Sequence, residues 1–148
     1  SQGNHAMQQR QTFTLLEAEG KEAQRPLVLV IEDHAATQHV ISSMLFLQGY
    51  RPVCTTNGQE ALEWIENALP REEYPAAILL DLLMPVMDGM RFLDCLRALW
   101  QIPVPLPPTI LLTAHLGNHD ELAVTDVLQK PFHIKELLER LKYVSNKD

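Results

Sequence analysis

Short runs of aliphatic residues recur along the chain and alternate with stretches whose apolar residues are spaced as on one face of a helix. The first run, Leu-Val-Leu-Val-Ile, is continuously apolar, which is typical of a strand buried on both faces of a parallel sheet. The pattern predicts five strands, at residues 27–31, 51–55, 76–80 and 109–112 and within 123–128.

Helical spacing follows each predicted strand, and residues that start or stop helices lie at the expected places. Asn57 and Asp88 can cap the second and third helices, Gly49 can end the first, and Pro70 stops the second. A closing helix carries an apolar stripe. The predicted stripes lie at residues 40–47, 61–69, 92–99 and 134–144, and a fourth, shorter helix is placed at 117–124 between the last two strands.

Strand and helix alternate five times with short connections, so few topologies remain. Right-handed crossovers between parallel strands give an α/β fold, a doubly wound parallel sheet with helices on both faces. Ligands of such folds bind beyond the carboxyl ends of the strands. The residues that follow each strand are therefore the candidates for chemistry.

Composition narrows the class of protein. The 148 residues are 46% hydrophobic and 21% charged, as in a globular domain, and the net charge of −7 offers no basic surface for nucleic acid or an anionic membrane. No apolar run reaches the roughly 20 residues of a membrane span. Cys54 and Cys95 lack metal-type spacing, so we interpret them as reduced thiols of a cytoplasmic protein.

The chain divides into three parts at the level of sequence. Residues 1–25 are interpreted as a cloning remnant (1–6) followed by a flexible leader, because they are polar and rich in Gln and Glu. Residues 26–145 form the folded domain, and 146–148 are a polar tail. No DNA-binding or catalytic output domain is recognised, so any such domain would lie outside this chain.

Polar residues of matching chemistry follow four of the apolar runs. Glu32 and Asp33 follow the first strand, Asp81 the third and Thr113 the fourth, and Lys130 follows the fifth segment. One carboxylate alone would carry little weight, because every apolar strand ends in something polar. The set as a whole predicts one site at the carboxyl edge of the sheet.

Three crowded carboxylates repel one another, and a divalent cation removes that conflict. Mg²⁺ prefers oxygen ligands and is commonly held by a few carboxylates and a substrate phosphate. A carboxylate can also attack phosphorus to form an aspartyl phosphate. We therefore expect Asp81 to accept a phosphoryl group, with Glu32 and Asp33 holding Mg²⁺ and with Thr113 and Lys130 contacting the phosphoryl oxygens.

These motifs resemble the receiver domain of two-component response regulators, in particular receivers like the chemotaxis response regulators. The resemblance extends from residue 26 to about residue 144. Its most specific part is the run Asp-Leu-Leu-Met-Pro-Val-Met-Asp-Gly that begins at Asp81, and Lys-Pro-Phe from Lys130 adds to it. It implies a flavodoxin-like fold with five strands in the order 2-1-3-4-5.

The resemblance also implies roles for the site. Asp81 would be the phosphoacceptor, and Mg²⁺ would be held by Glu32, Asp33, Asp81 and the backbone carbonyl of Leu83. The donor would be a histidine kinase or phosphotransfer domain, and phosphorylation would switch protein–protein contacts, with an output partner or a homodimer left open. The chain would be a signalling domain that assists its own phosphorylation and dephosphorylation, not an enzyme. The Lys130–Pro131 bond would be cis.

Two features depart from the family pattern and concern output, and two further positions bear on the lifetime of the phosphoryl group. Val127 occupies the position of a switching aromatic ring. Only 16 residues separate Thr113 from Lys130, which predicts a shortened fourth helix and an unusual partner surface. Leu83 and His115 lie where the lifetime of the phosphoryl group is tuned, and their effects oppose each other.

Two other functions remain open. A binding module whose output does not depend on phosphate would suit Val127 and the short fourth helix, but it leaves the intact acidic site unexplained. A magnesium-dependent phosphatase with an aspartyl phosphate would normally carry Asp-x-Asp after the first strand and a cap domain, and this chain shows neither.

Overall fold

The computed structural model describes residues 24–81, 89–114 and 124–145. Within these ranges five β-strands alternate with four α-helices. In chain order the elements are β1 (Leu27–Ile31), α1 (Ala35–Leu47), β2 (Arg51–Thr55), α2 (Gly58–Ala68), a 3₁₀ turn (Leu69–Arg71), β3 (Ala77–Asp81), α3 (Gly89–Leu99), β4 (Thr109–Thr113), β5 (Asp126–Gln129) and α4 (Ile134–Ser145).

The strands form one parallel sheet in the order β2-β1-β3-β4-β5. This confirms the predicted doubly wound, flavodoxin-like fold. The first two strands have the predicted bounds, whereas β3 begins and ends one residue later than predicted and β4 and β5 end one residue later. Asp81 and Thr113 therefore belong to the ladder itself. The chain therefore holds both residues by sheet hydrogen bonding as well as by packing.

Alternate residues of the central strands supply two separate cores. Leu27, Leu29 and Ile31 face the helices α2 and α3, whereas Val28 and Val30 face α1 and α4. Every residue of β1, β3 and β4 is buried, because helices cover both faces of the sheet. The continuous apolar runs in the sequence are the direct consequence of this burial.

The helix ends follow local chemistry. The side chain of Asn57 accepts a hydrogen bond from the Glu60 amide (2.9 Å), which confirms its predicted role as the cap of α2. Gly49 has φ +92°, a conformation that favours glycine, and it follows the end of α1 as predicted. The α2 helix ends at Ala68, before Pro70, which lies inside the 3₁₀ turn.

Side chains occupy the outer edge of β5. Arg140 on α4 donates to both carboxylate oxygens of Asp126 (3.0 and 2.9 Å) and approaches the Val127 carbonyl at 3.4 Å, while Asp126 accepts from the Val127 amide at 2.8 Å. Backbone groups that a bare edge strand would leave open thus have side-chain partners. The pair also fixes α4 against the last strand.

Some predictions concern residues outside the described ranges. They are the leader before residue 24, the Asp88 cap of α3, the shortened fourth helix at 117–124 apart from Val124, and the tail at 146–148. Among the helices that are described, none is long and apolar enough to cross a membrane.

Packing of α3 on the sheet depends on Phe92, whose side chain is completely buried. Replacing it with Ala would open a cavity, and we expect the Phe92→Ala substitution to lower the free energy of unfolding by about 3–4 kcal/mol. Urea unfolding followed by circular dichroism measures this. Met90 on the same helix is exposed, and Met90→Ala should change the unfolding free energy by less than about 0.5 kcal/mol. Equal effects of the two substitutions would contradict this packing.

Candidate functional site

The register of the sheet brings two of the predicted carboxylates together. Ile31, the last residue of β1, pairs with Leu80 of β3. The next residues are Glu32, just beyond β1, and Asp81, the last residue of β3. The Glu32 amide donates to the Thr55 carbonyl at 3.0 Å, which holds Glu32 in line with the sheet beyond the end of β1. Backbone pairing thus sets the spacing of these two side chains.

The three predicted carboxylates form one cluster. Glu32, Asp33 and Asp81 each contribute a carboxylate oxygen, and these three atoms lie within 4.8 Å of one another. Glu32 and Asp81 are 2% and 4% exposed, whereas Asp33 is exposed. The cluster therefore has two buried members and opens to solvent at Asp33.

Lys130 brings a positive charge to the cluster. Its Nζ donates to Asp81 Oδ2 at 3.0 Å and lies 3.9 Å from Glu32 Oε2. Its backbone amide donates to the Thr113 carbonyl at 2.7 Å, which continues the pairing of β4 and β5 by one residue. The Lys130–Pro131 bond is cis, as predicted. The structure thus brings four of the predicted residues together: Glu32, Asp33, Asp81 and Lys130.

Thr113 occupies the predicted position, at the carboxyl end of β4. It is 1% exposed, pairs with Gln129 of β5 and contacts Lys130 through its carbonyl. The contact of its hydroxyl with a phosphoryl oxygen stays a prediction. Leu83, whose carbonyl was predicted as a metal ligand, and His115 lie outside the described residues.

Burial makes the ionised form of Glu32 costly. Burial, together with the neighbouring Asp81, raises the pKa of Glu32 from 4.5 to about 7. Asp81 contributes through a hydrogen bond that a protonated Glu32 would share with it and through charge repulsion. The His34 amide, which donates to Glu32 Oε1 at 3.2 Å, and the Lys130 ammonium act in the opposite direction. Burial and the neighbouring Asp81 outweigh these contacts, so the ionised form of Glu32 is disfavoured in the folded protein without a bound cation.

The donor set fits a magnesium ion. Within the described part of the chain, Glu32 Oε2 is buried and accepts no hydrogen bond, which leaves an oxygen available as a ligand. When ionised, the three carboxylates and the Lys130 ammonium sum to two negative charges, the amount that one divalent cation balances. Carboxylates and water are also the ligands that Mg²⁺ prefers. Glu32, Asp33 and Asp81 could therefore hold such an ion.

Gln38 supports the site through hydrogen bonds and is not among the residues predicted from the sequence. Its Nε2 donates to the carbonyls of Glu32 (3.2 Å) and Thr55 (3.1 Å), so it joins α1 to the ends of β1 and β2. The sequence does contain a signal. Gln38 lies three and seven residues before the buried Ile41 and Leu45, so it is a polar residue on the apolar stripe of α1.

His34 and Val127 have supporting places in the structure. His34 is exposed, and it contacts Glu32 through its backbone amide, while its Nδ1 lies 3.5 Å from Thr37 Oγ1. Val127 is half-buried on β5 and packs against the core beneath α2 and α3. The position predicted for an aromatic switch is thus filled by a small packing residue.

Comparison with known proteins agrees with this geometry. Residues 28–142 match the model of the response regulator receiver domain. The chain is 33% identical over 128 residues to the probable transcriptional regulator ycf27 of Porphyra purpurea and to that of Pyropia yezoensis. Each match covers 83% of this chain and 49% of the relative, so the chain spans about half the length of these curated relatives.

Solved structures show the same fold. The receiver domain of the sensor histidine kinase PA1611 from Pseudomonas aeruginosa, which has a magnesium ion coordinated in its active site cleft, is 29% identical with a TM-score of 0.69, over 83% of this chain and 99% of that one. The chemotaxis response regulator CheY4 of Vibrio cholerae is 26% identical with a TM-score of 0.67, over 82% and 99%. With the family model matched across most of its length, the chain belongs to the response regulator receiver domain family.

Proposed function

We propose that this chain is a phosphoacceptor switch, in which Asp81 takes a phosphoryl group from a histidine kinase or phosphotransfer domain. The observation that carries the proposal is the position of Asp81. Its carboxylate is buried, lies 3.0 Å from the Lys130 ammonium and shares a cation-sized cluster with Glu32 and Asp33. A structural aspartate would need only the lysine, and the two further carboxylates would only destabilise it.

A magnesium ion is the cofactor that we assign to the cluster. Glu32, Asp33 and Asp81 would hold it, together with the carbonyl of Leu83. When bound, Mg²⁺ neutralises charge on the phosphoryl oxygens and orients the group for transfer. The magnesium ion in the active site cleft of the PA1611 receiver domain supports this assignment.

The transfer itself is a displacement at phosphorus. One carboxylate oxygen of Asp81 donates an electron pair to form the new P–O bond, while the P–N bond to the donor histidine breaks and its electron pair stays on the imidazole nitrogen, which then takes up a proton. Lys130 offers an ammonium to the phosphoryl oxygens, and Thr113 offers a hydroxyl. The chain's contribution is mainly positioning and charge neutralisation.

This chemistry makes the chain a signalling domain rather than an enzyme with turnover on a separate substrate. Its partners would be the phosphodonor and an output domain or protein, in the cytoplasm, with a homodimer as another form. The aspartyl phosphate carries nearly two negative charges where the carboxylate carried one, and such a change at one buried position can bias a distant surface.

Val127 favours a second candidate, a receiver-like binding module whose output does not depend on phosphate. A half-buried valine has no ring to change position when the site is occupied. Phosphorylation of the isolated protein separates the two functions, because a pure binding module would not accept a phosphoryl group.

Asp81 should take one phosphoryl group from acetyl phosphate in the presence of Mg²⁺, and Asp81→Asn should take none, since the amide lacks the nucleophilic carboxylate. Intact-protein mass spectrometry measures the adduct. Asp94→Asn is a suitable control, because Asp94 is exposed on α3 and forms a salt bridge with Arg97 of the same helix. An unmodified wild-type protein would support the binding module, and an adduct on Asp81→Asn would place the acceptor elsewhere.

Lys130 should matter for transfer and not for metal binding. Lys130→Met removes the ammonium near the phosphoryl oxygens, and we expect phosphorylation by acetyl phosphate to slow by about 100-fold. Mg²⁺ should bind at least as tightly, because the cluster becomes more negative. Mass spectrometry of samples quenched at successive times measures the rate of phosphorylation, and calorimetry measures Mg²⁺ binding. The exposed Lys135 provides a control, Lys135→Met. Transfer at the wild-type rate would exclude the proposed role of Lys130.

Without metal, the raised pKa of Glu32 should make the protein less stable as the pH rises. Its folded pKa of about 7 exceeds the unfolded value of 4.5, so the stabilising contribution is complete below pH 4.5 and is lost as the pH passes through 7. Glu32→Gln keeps the shape without the charge. We expect it to be more stable than wild type by about 2 kcal/mol at pH 8, with a smaller gap at pH 5.

Urea unfolding in a chelating buffer measures this gap. Glu63→Gln makes the same substitution at an exposed position of α2 and should have no such pH dependence. A Glu32→Gln protein less stable than wild type at pH 8 would mean that the Glu32 carboxylate is not under electrostatic stress.

A further inference from the structure

We infer that Gln38 is a positioning residue that sets the geometry of the magnesium ligands, and in particular of Glu32 and Asp33. The inference rests on the proposed magnesium site and extends it to a side chain that touches no proposed ligand atom. Gln38 is half-buried in the first turns of α1, where its amide reaches the ends of two strands.

The backbone of Glu32 is held on both sides. Its amide donates to the Thr55 carbonyl at 3.0 Å, and its own carbonyl accepts from Gln38 Nε2 at 3.2 Å. The same Nε2 donates to the Thr55 carbonyl at 3.1 Å, so one side-chain amide spans both strands. Gln38 therefore fixes the peptide that joins Glu32 to Asp33, the two ligands supplied by this loop.

A second set of contacts closes the loop. The Gln38 backbone amide donates to the His34 carbonyl at 2.9 Å, and the His34 backbone amide donates to Glu32 Oε1 at 3.2 Å. Backbone and side chain of Gln38 thus hold the loop 32–34 at both its ends. This leaves Glu32 Oε2, the oxygen without a hydrogen bond among the described residues, as the atom that would bind the ion.

Loss of the Gln38 side-chain amide would loosen the geometry of the magnesium ligands without removing a ligand or a charge. Mg²⁺ demands a near-ideal octahedron, whereas Ca²⁺ accepts flexible geometry and longer bonds. If Gln38 has this positioning role, its loss therefore weakens Mg²⁺ binding more than Ca²⁺ binding. A general loss of stability or a change in charge would affect both ions to a similar extent.

The test is Gln38→Met, which keeps the length of the side chain and removes its donors. Separate isothermal titration calorimetry experiments at pH 8, one with Mg²⁺ and one with Ca²⁺, give the two dissociation constants. We expect Mg²⁺ to bind about 10-fold more weakly, as outer contacts of metal ligands commonly matter by this amount, and Ca²⁺ to change by less than about 3-fold. Gln59→Met, the same substitution at an exposed position of α2, should leave both constants unchanged.

Urea unfolding in parallel reports whether each variant folds. If Gln38→Met folds poorly, Gln38→Asn is the second variant, because it shortens the reach of the amide and perturbs packing less. It should also weaken Mg²⁺ binding more than Ca²⁺ binding. The role of Gln38 would be overturned, and the magnesium site kept, if the wild-type protein binds Mg²⁺ and the variant binds Mg²⁺ equally well. Equal weakening of Mg²⁺ and Ca²⁺ binding in the variant would have the same meaning. A wild-type protein that binds no Mg²⁺ would overturn the magnesium site, and the role of Gln38 with it.

Discussion

Repulsion among three carboxylates at one edge of the sheet is the constraint on which the site depends. Two like charges about 5 Å apart repel by about 3 kcal/mol at an effective dielectric constant of about 20. Lys130 offsets part of this through its 3.0 Å contact with Asp81, but it lies 3.9 Å from Glu32, whose pKa remains raised to about 7. Burial of ionised carboxylates and their mutual repulsion therefore both destabilise the site without a cation, and a bound cation would offset both effects.

A rigid scaffold is needed to hold such a cluster together. The ladder fixes Glu32 against Asp81, and the fully buried β1, β3 and β4 allow no slippage, because a shift by one residue would exchange the two cores. Gln38 and the Thr113–Lys130 hydrogen bond hold the two flanks. The stability of the apolar cores thus offsets the cost of the charged edge, as is common for functional sites.

Sequence reasoning predicted the fold well because buried parallel strands leave a continuous apolar signal, as in Leu27–Ile31. It predicted the cluster because four strand ends carried matching chemistry. It missed Gln38, because a helix pattern does not tell which loop a polar side chain reaches. Distances also required the structure, which shows that Lys130 lies closer to Asp81 than to Glu32 and that Glu32 Oε2 has no hydrogen-bond partner among the described residues. Burial, the main cause of the Glu32 pKa, requires the packed structure.

The most direct test of the account is the free energy of unfolding of the wild-type protein at pH 8, measured as a function of Mg²⁺ concentration at constant ionic strength. If the carboxylate cluster binds the ion in the folded state alone, stability rises with Mg²⁺, by about 1.4 kcal/mol for each tenfold increase above the dissociation constant. A free energy of unfolding that stays the same across the millimolar range of Mg²⁺ would contradict the claim that this charged edge is built for a cation.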